Sequence, residues 1–163
     1  MKINVNALSA LFLAAVIGCA PVVTKHIRVQ RHIDVKPSER FQTPVNNAKV
    51  LSKFGPRSGS YHTGLDLRGK RGGGDFAYAS RAGRVMSVGW VKGYGRQIEI
   101  HHPDGYRSRY AHLKSVKVKL GQEVKTRQAI GIVGSSGRAS TPHLHFEIKT
   151  PDGFFIDPAL LLP

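Results

Sequence analysis

The segment 143–148 carries two histidines, separated by one residue, in a strictly alternating pattern. If this segment is a β-strand, His143, His145 and Glu147 share one face, while Leu144 and Phe146 face the other way. Two imidazoles then project in parallel from a rigid sheet, an arrangement suited to metal chemistry. An amphipathic strand with two histidines facing solvent has the same pattern, so this segment alone does not decide between the two.

A second segment, 62–67, has a related pattern. In an extended chain, His62, Gly64 and Asp66 face one way and Leu65 and Leu67 face the core, and we expect Gly64 to leave open space between the two polar side chains. The two segments together can supply one imidazole, one carboxylate and a second imidazole. Three protein ligands with a fourth position open are typical of catalytic zinc. Nitrogen and oxygen donors also permit other divalent metals, although zinc is the common choice.

The elements that must position these residues are predicted to be strands. Short alternating apolar runs recur from about residue 49 onward, and 18 glycines and 9 prolines in 163 residues fit a turn-rich chain. We predict a mostly β fold, with a single compact antiparallel β-sheet or barrel-sandwich-like domain, a narrow groove and a short C-terminal helical turn begun by Asp157 and Pro158. Strands are expected over 84–90, 97–101, 106–113, 116–118, 129–134 and 143–149.

The chain is strongly basic. It has 25 lysines and arginines against 10 acidic residues, a formal net charge of +15. Such a surface attracts polyanions, which include nucleic acid, anionic lipid and acidic cell-wall polymers. We expect no nucleic-acid partner, because aromatic residues do not alternate with basic ones in the way that base stacking requires.

Six motifs follow one another along the chain: FGPR at 54–57, HTGLD at 62–66, YAHL at 110–113, GQEV at 121–124, GIVGSSG at 131–137 and PHLHFE at 142–147. Either histidine motif alone is weak evidence, but the combination is specific. In this order the motifs resemble the lysostaphin/LytM-type zinc endopeptidases, which cut peptide cross-links in bacterial cell walls. The resemblance covers roughly residues 49–162.

The resemblance implies a role for each polar residue of these motifs. His62, Asp66 and His145 would bind one zinc ion per chain, and His112 and His143 would be the catalytic pair. A zinc-activated water would then hydrolyse peptide cross-links of peptidoglycan, with His143 as general base and His112 positioning the water or the oxyanion, although the two histidines can exchange these roles. The stretch 68–76 is longer than is usual in the family, which affects the prediction of substrate more than that of zinc.

The N-terminal segment suggests export. Residues 7–18 are a short apolar run, too short to cross a ~30 Å hydrocarbon layer but suited to the core of a signal peptide. The run ends at Cys19 in a sequence that resembles the bacterial lipobox. We therefore expect a signal peptide at 1–18, a lipidated Cys19 with a basic tether at 19–48, and the zinc endopeptidase domain at 49–163. By this resemblance, a lipid anchor would hold the protein in the outer membrane, facing the periplasm. The alternative is a plain secretory signal and a soluble secreted protein.

Two further questions remain open from the sequence. Some proteins of this kind have lost zinc ligands and only activate other wall enzymes, so a non-catalytic regulator is the alternative to an enzyme. All five polar positions are present here, which favours an enzyme that acts on peptidoglycan with no required protein partner. Glu147 can hydrogen-bond a ligand imidazole or form a salt bridge on the next strand, and His101 and His102 are expected at the surface.

Overall fold

The computed structural model describes residues 29–30 and 40–163. Strands dominate this part of the chain, which confirms the predicted mostly β, antiparallel fold. The strands are β1 (Val29–Gln30), β2 (Lys49–Ser52), β3 (Gly55–Arg57), β4 (Ser60–His62), β5 (Leu65–Arg68), β6 (Phe76–Tyr78), β7 (Gly83–Val91), β8 (Gly95–His101), β9 (Arg107–Ala111), β10 (Leu113–Val116), β11 (Glu123–Val124), β12 (Ala129–Val133), β13 (Leu144–Lys149) and β14 (Phe155–Ile156).

A nine-stranded sheet forms the body of the domain. Its main path runs β1-β14-β13-β9-β8-β7-β11, and β5 also pairs with β13 and carries β2 on its other edge. A three-stranded sheet, β10-β12-β6, and the hairpin β3-β4 complete the structure. The strand pairs of the described residues are antiparallel, with the exception of β1 and β14, which are parallel.

Strand β13 lies at the centre of the core because it pairs with β5, β9 and β14. Its apolar side chains, Leu144, Phe146 and Ile148, are fully buried in the hydrophobic core. The other face of the same strand carries His145 and Glu147. Removing a leucine, isoleucine or phenylalanine from water contributes about 1.5–3 kcal/mol each, so burial of the apolar face holds the polar face in a fixed orientation.

The packed domain begins before residue 49, where the sequence had placed its start. Phe41 and Val45 are fully buried and belong to the same core cluster as β13. The backbone N–H of Phe41 donates to the carbonyl of Leu161 at 2.9 Å, which ties the two ends of the domain together. The expected signal peptide at 1–18 and Cys19 lie outside the described residues.

The C-terminal end has the helical turn that the sequence predicts. Pro158–Leu160 form a 3-10 helix, and the Asp157 side chain accepts a hydrogen bond from the backbone N–H of Ala159 at 2.9 Å. None of the helices in residues 29–30 and 40–163 is long and apolar enough to cross a membrane.

His102 is buried, contrary to the surface position expected for it. Only 4% of the residue is exposed. Its Nδ1 atom lies 2.9 Å from the carbonyl oxygen of Ala82, and its Nε2 atom lies 2.8 Å from Ser108 Oγ, which is hydrogen-bonded with the Tyr110 hydroxyl. Burial lowers the pKa of His102 to about 4, so this imidazole is neutral at pH 7 and acts as a core residue.

Candidate metal centre

Strand pairing brings the three predicted ligands together. Asp66 on β5 is the direct cross-strand partner of His145 on β13, and His62 ends β4 four residues before Asp66. Nε2 of His62, Oδ1 of Asp66 and Nδ1 of His145 form a nearly equilateral triangle, with separations of 3.0, 2.9 and 3.1 Å. Ligand atoms ~2.0–2.1 Å from a shared tetrahedral zinc are expected about 3.3 Å apart, so the three atoms need to separate only slightly.

The hydrogen bonds on the outer side of each imidazole determine which atoms face inward. Nδ1 of His62 donates to the carbonyl oxygen of Lys53 at 2.7 Å, and Nε2 of His145 donates to the Glu147 carboxylate at 3.0 Å. Neither acceptor can donate in return, so each neutral imidazole presents a lone pair to the Asp66 carboxylate. Three lone pairs within about 3 Å repel one another unless a cation lies between them. The donor set therefore fits zinc.

The charges of the buried groups agree with this conclusion. Burial raises the pKa of Asp66, but its contacts with the imidazoles of His145 and His62 outweigh that effect and hold the pKa well below the usual range. Burial lowers the pKa of His145, but its hydrogen bonds to Asp66 and Glu147 raise it to about 8. A proton on His145 can thus supply the positive charge in the metal-free protein, and a metal ion would replace that proton.

Glu147 is the centre of a buried polar network behind the ligands. One carboxylate oxygen accepts hydrogen bonds from His145, from Thr63 and, at 2.8 Å, from the Tyr94 hydroxyl. The other oxygen lies 3.3 Å from Arg109, which also pairs with Glu99 at 2.7 Å. Glu147 therefore makes both of the contacts that the sequence left as alternatives. Burial raises its pKa, but these donors outweigh that effect and lower the pKa below its usual value, which keeps the carboxylate charged.

The other two histidines of the motifs lie beside the triangle. Nδ1 of His112 donates to the Ser136 carbonyl at 2.8 Å, and Nδ1 of His143 donates to the Thr141 carbonyl at 2.7 Å. Each Nε2 is left with a lone pair that can accept a proton. The two ring centroids are 4.8 Å apart, and Nε2 of His143 lies 3.6 Å from Oδ1 of Asp66. Burial lowers the pKa of His112, which favours its neutral form.

His112 interrupts what the sequence predicts as one strand over 106–113. Strand β9 ends at Ala111 and β10 begins at Leu113, and His112 between them has a φ of 61°. Its backbone N–H donates to the carbonyl of Tyr94, at 2.9 Å. A positive φ is uncommon for a residue with a side chain, and no periodicity in the sequence reveals it. At His112 the chain therefore passes from the nine-stranded sheet to the three-stranded sheet.

Gly64 does not leave the open space that we expected from the sequence. A Cβ atom at this position would lie 2.3 Å from the carbonyl oxygen of Phe146 and 3.0 Å from Cε1 of His145. No real side chain tolerates the first of these distances. Glycine at 64 therefore permits the close approach of the ligand-bearing segment to β13, which the pairing of Asp66 with His145 requires.

The five motif residues line one cleft of about 460 Å³. Arg57 reaches into it from β3, and its guanidinium lies 2.9 Å from Oδ2 of Asp66 and hydrogen-bonds to Ser52. Arg57, Tyr94 and Arg138 are cleft residues to which the sequence analysis gave no role. The FGPR motif contained Arg57, but only the folded chain brings Tyr94 and Arg138 to the cleft. The full lining is Arg57, Tyr61, His62, Thr63, Asp66, Gly93, Tyr94, His112, Arg138, Ala139, Ser140, His143 and His145.

An antiparallel β domain with a His/Asp/His triangle and two further imidazoles in one cleft defines a metallopeptidase-type domain. The chain belongs to Peptidase family M23, which matches residues 60–158. The matched range includes all five motif residues.

Similar proteins carry both enzymatic and regulatory names. The chain is 43% identical over 104 residues to an outer membrane antigenic lipoprotein B of Histophilus somni, covering 63% of this chain and 30% of that protein. It is 41% identical over 116 residues to the murein hydrolase activator NlpD of Escherichia coli K12, covering 71% and 29%. The chain thus spans less than a third of the length of these relatives.

A solved structure has the same fold. The catalytic domain of the antimicrobial peptidase lysostaphin from Staphylococcus simulans superposes with a TM-score of 0.64 at 34% identity, covering 71% of this chain and 92% of that one.

Proposed function

We propose that this domain is a zinc endopeptidase that hydrolyses peptide cross-links of peptidoglycan. The observation that carries the proposal is the convergence of one possible ligand atom each from His62, Asp66 and His145, in a cleft that also holds the imidazoles of His112 and His143. A domain without catalysis has no physical need of this charge arrangement. Membership of family M23 and the similarity to the lysostaphin peptidase support the same reaction.

The residues of the cleft have separate tasks in this reaction. His62, Asp66 and His145 would hold the zinc ion, which would supply a Lewis acid able to polarise a peptide carbonyl and to lower the pKa of water. The lone pair of His143 Nε2 takes a proton from the attacking water and later returns it to the departing amine. His112 lies beside His143, and its Nε2 accepts a hydrogen bond that positions the water or, once that nitrogen is protonated, donates one to the oxyanion. Their carbonyl acceptors, Thr141 and Ser136, hold both rings in the required tautomer.

A second candidate is activation of another wall hydrolase. The observation that favours it is the similarity to NlpD, whose name describes a murein hydrolase activator. In that case the cleft binds a segment of a partner enzyme instead of a substrate peptide. The two candidates differ in whether the domain alone breaks a covalent bond.

Digestion of purified sacculi distinguishes them. The protein is incubated with sacculi, with and without a chelator, and the released fragments are identified by mass spectrometry. An endopeptidase converts cross-linked dimers to monomers when zinc is present, and His143→Ala, which retains all three ligands, reduces this about 10²–10⁴-fold. If dimers stay intact in every condition and an amidase releases peptides only when this protein is added, the domain is an activator.

We also propose that Cys19 is lipidated and anchors the protein in the outer membrane, facing the periplasm. The lipobox-like sequence and the relative named outer membrane antigenic lipoprotein B support this proposal. Two or more acyl chains at one cysteine suffice for stable anchoring. The mass of the protein extracted from membranes tests it: Cys19→Ser should abolish both the added lipid mass and the membrane fraction.

A further inference from the structure

Arg138 is held at the cleft by its backbone. It follows Gly137, which has a φ of 74° and packs against the tip of the β7-β8 hairpin so closely that a Cβ would lie 2.3 Å from the Gly95 nitrogen. The Arg138 N–H donates to the carbonyl of Gly93 at 2.8 Å. The two glycine-rich segments, around Gly137 and around Gly95, thus pack closely against each other. The exposed Arg138 lines the cleft next to Ala139 and Ser140.

The charge of Arg138 is not balanced within the cleft. Asp66 is the single carboxylate among the cleft-lining residues, and both its oxygens are engaged: Oδ1 with His62 and His145, Oδ2 with Arg57. In residues 40–163 the Arg138 guanidinium has no ion pair or side-chain hydrogen bond. Arg57, by contrast, is already paired with a zinc ligand. A ligand that covers Arg138 without offering an anion would therefore remove a charge from water with no compensation.

We propose that Arg138 is a specificity-determining residue that binds a free carboxylate of the substrate peptide. This inference rests on the proposed endopeptidase function and narrows its substrate class to peptides with a carboxylate near the scissile bond. Guanidinium binds carboxylate through two parallel N–H···O bonds, which also orient the peptide. The locked backbone reduces the entropy lost when the contact forms. Uncharged peptide bridges, such as oligoglycine, carry no carboxylate that Arg138 could bind.

A pair of matched peptides tests the inference. One is a cross-linked wall peptide with free carboxylates, and the other is the same peptide with those carboxylates converted to primary amides. For the zinc-loaded protein, kcat/KM should be about 10- to 100-fold higher for the acid, the range expected for a charged hydrogen bond. Arg138→Ala should remove this preference, so that kcat/KM for the acid falls to the value for the amide, while Arg138→Lys should retain part of it.

Binding provides the readout that does not depend on catalysis. Calorimetry of the cleavage-product peptide, in acid and amide forms, should give tighter binding of the acid to the wild type and equal binding of both to Arg138→Ala. Arg84→Ala is the matched control, because Arg84 is an exposed arginine on β7 that pairs with Glu123.

The outcomes separate the two proposals. If the wild type cleaves neither peptide, the endopeptidase function is rejected, and the binding experiment still decides whether Arg138 recognises carboxylates. If both forms bind the wild type equally, or Arg138→Ala keeps the preference for the acid, the role of Arg138 is rejected even when cleavage occurs.

Discussion

Nε2 of His145 donates a hydrogen bond of 3.0 Å to Glu147, two residues further along β13. The alternation of the strand alone places both side chains on one face, and the carboxylate is only 1% exposed. This contact keeps the proton on Nε2 and directs the lone pair of Nδ1 toward Asp66. In the proposed zinc site, Glu147 would therefore position a ligand without touching the metal, as outer carboxylates do in many zinc sites.

Glu147→Gln should weaken zinc binding about 10- to 100-fold. The amide keeps the shape of the side chain but loses the negative charge that makes the His145 imidazole more basic. Zinc affinity is measured by competition with a chromogenic chelator at pH 7. Glu123→Gln is the control, because Glu123 is exposed and pairs with Arg84 away from the cleft. Equal affinities in the two variants would show that Glu147 has no role in positioning the ligand.

Zinc should stabilise the folded domain. Because the three ligand atoms are close together only in the folded chain, free zinc at 100 times its dissociation constant raises the free energy of unfolding by about 2.7 kcal/mol. Urea denaturation with and without zinc measures this gain. His62→Ala, which removes one ligand, should show little gain. An equal gain in this variant would mean that zinc binds elsewhere.

Gly64→Ala should destabilise the domain strongly. Its Cβ would meet the Phe146 carbonyl oxygen at 2.3 Å, so β5 or β13 must shift, at a cost of about 1–3 kcal/mol or more. Gly121→Ala is the comparison, because open space surrounds Gly121 and its φ of 80° alone costs about 1–2 kcal/mol. Gly64→Ala should also weaken zinc binding, measured by the same chelator assay, whereas Gly121→Ala should not. Zinc affinity unaffected by Gly64→Ala would contradict the close-approach argument.

His102 should make the domain less stable at mildly acidic pH. A histidine in the unfolded chain has a pKa of about 6.5, and burial lowers that of His102 to about 4 in the folded state. As the pH falls from 6.5 to 4, the unfolded chain binds a proton that the folded chain does not, so the free energy of unfolding decreases. At about 1.4 kcal/mol for each pKa unit, the loss approaches about 3 kcal/mol. This contribution is fully present above pH 6.5.

Urea unfolding at pH 7, 6, 5 and 4 measures the effect. His102→Gln should be less stable than the wild type at pH 7 but should lose less stability on acidification. The charges that face His102 act in opposite directions, since Arg81 lowers its pKa and Asp104 raises it. The same decrease with pH in both proteins would assign the acid sensitivity to other groups.

The sequence predicted the part of the site that depends on the alternation of polar and apolar side chains along a strand. The faces of β13 and of the segment 62–67 follow from the two-residue period of a strand, so His145 and Asp66 could be placed on one side of their segments. Convergence of the two segments came only from the family resemblance, and the catalytic roles of His112 and His143 stay predictions.

The features that the sequence did not predict depend on contacts between distant segments. The positive φ of His112, the close approach at Gly64 and the burial of His102 each arise where two separate strands or loops meet. Phe41 was assigned to a polar tether because few apolar residues surround it in the sequence, yet one aromatic ring suffices to fill a gap in the core. Local composition does not report such contacts.

The parallel pairing of β1 with β14 bears on the distance from a membrane at which this domain can act. Val29, the first residue of β1, lies ten residues after Cys19. Ten residues span at most about 33–36 Å when fully extended. If Cys19 carries the lipid, the domain stays within one protein diameter of the bilayer surface, and only a substrate or partner that approaches the membrane this closely comes within its range. Releasing β1 from β14 would lengthen that radius of action.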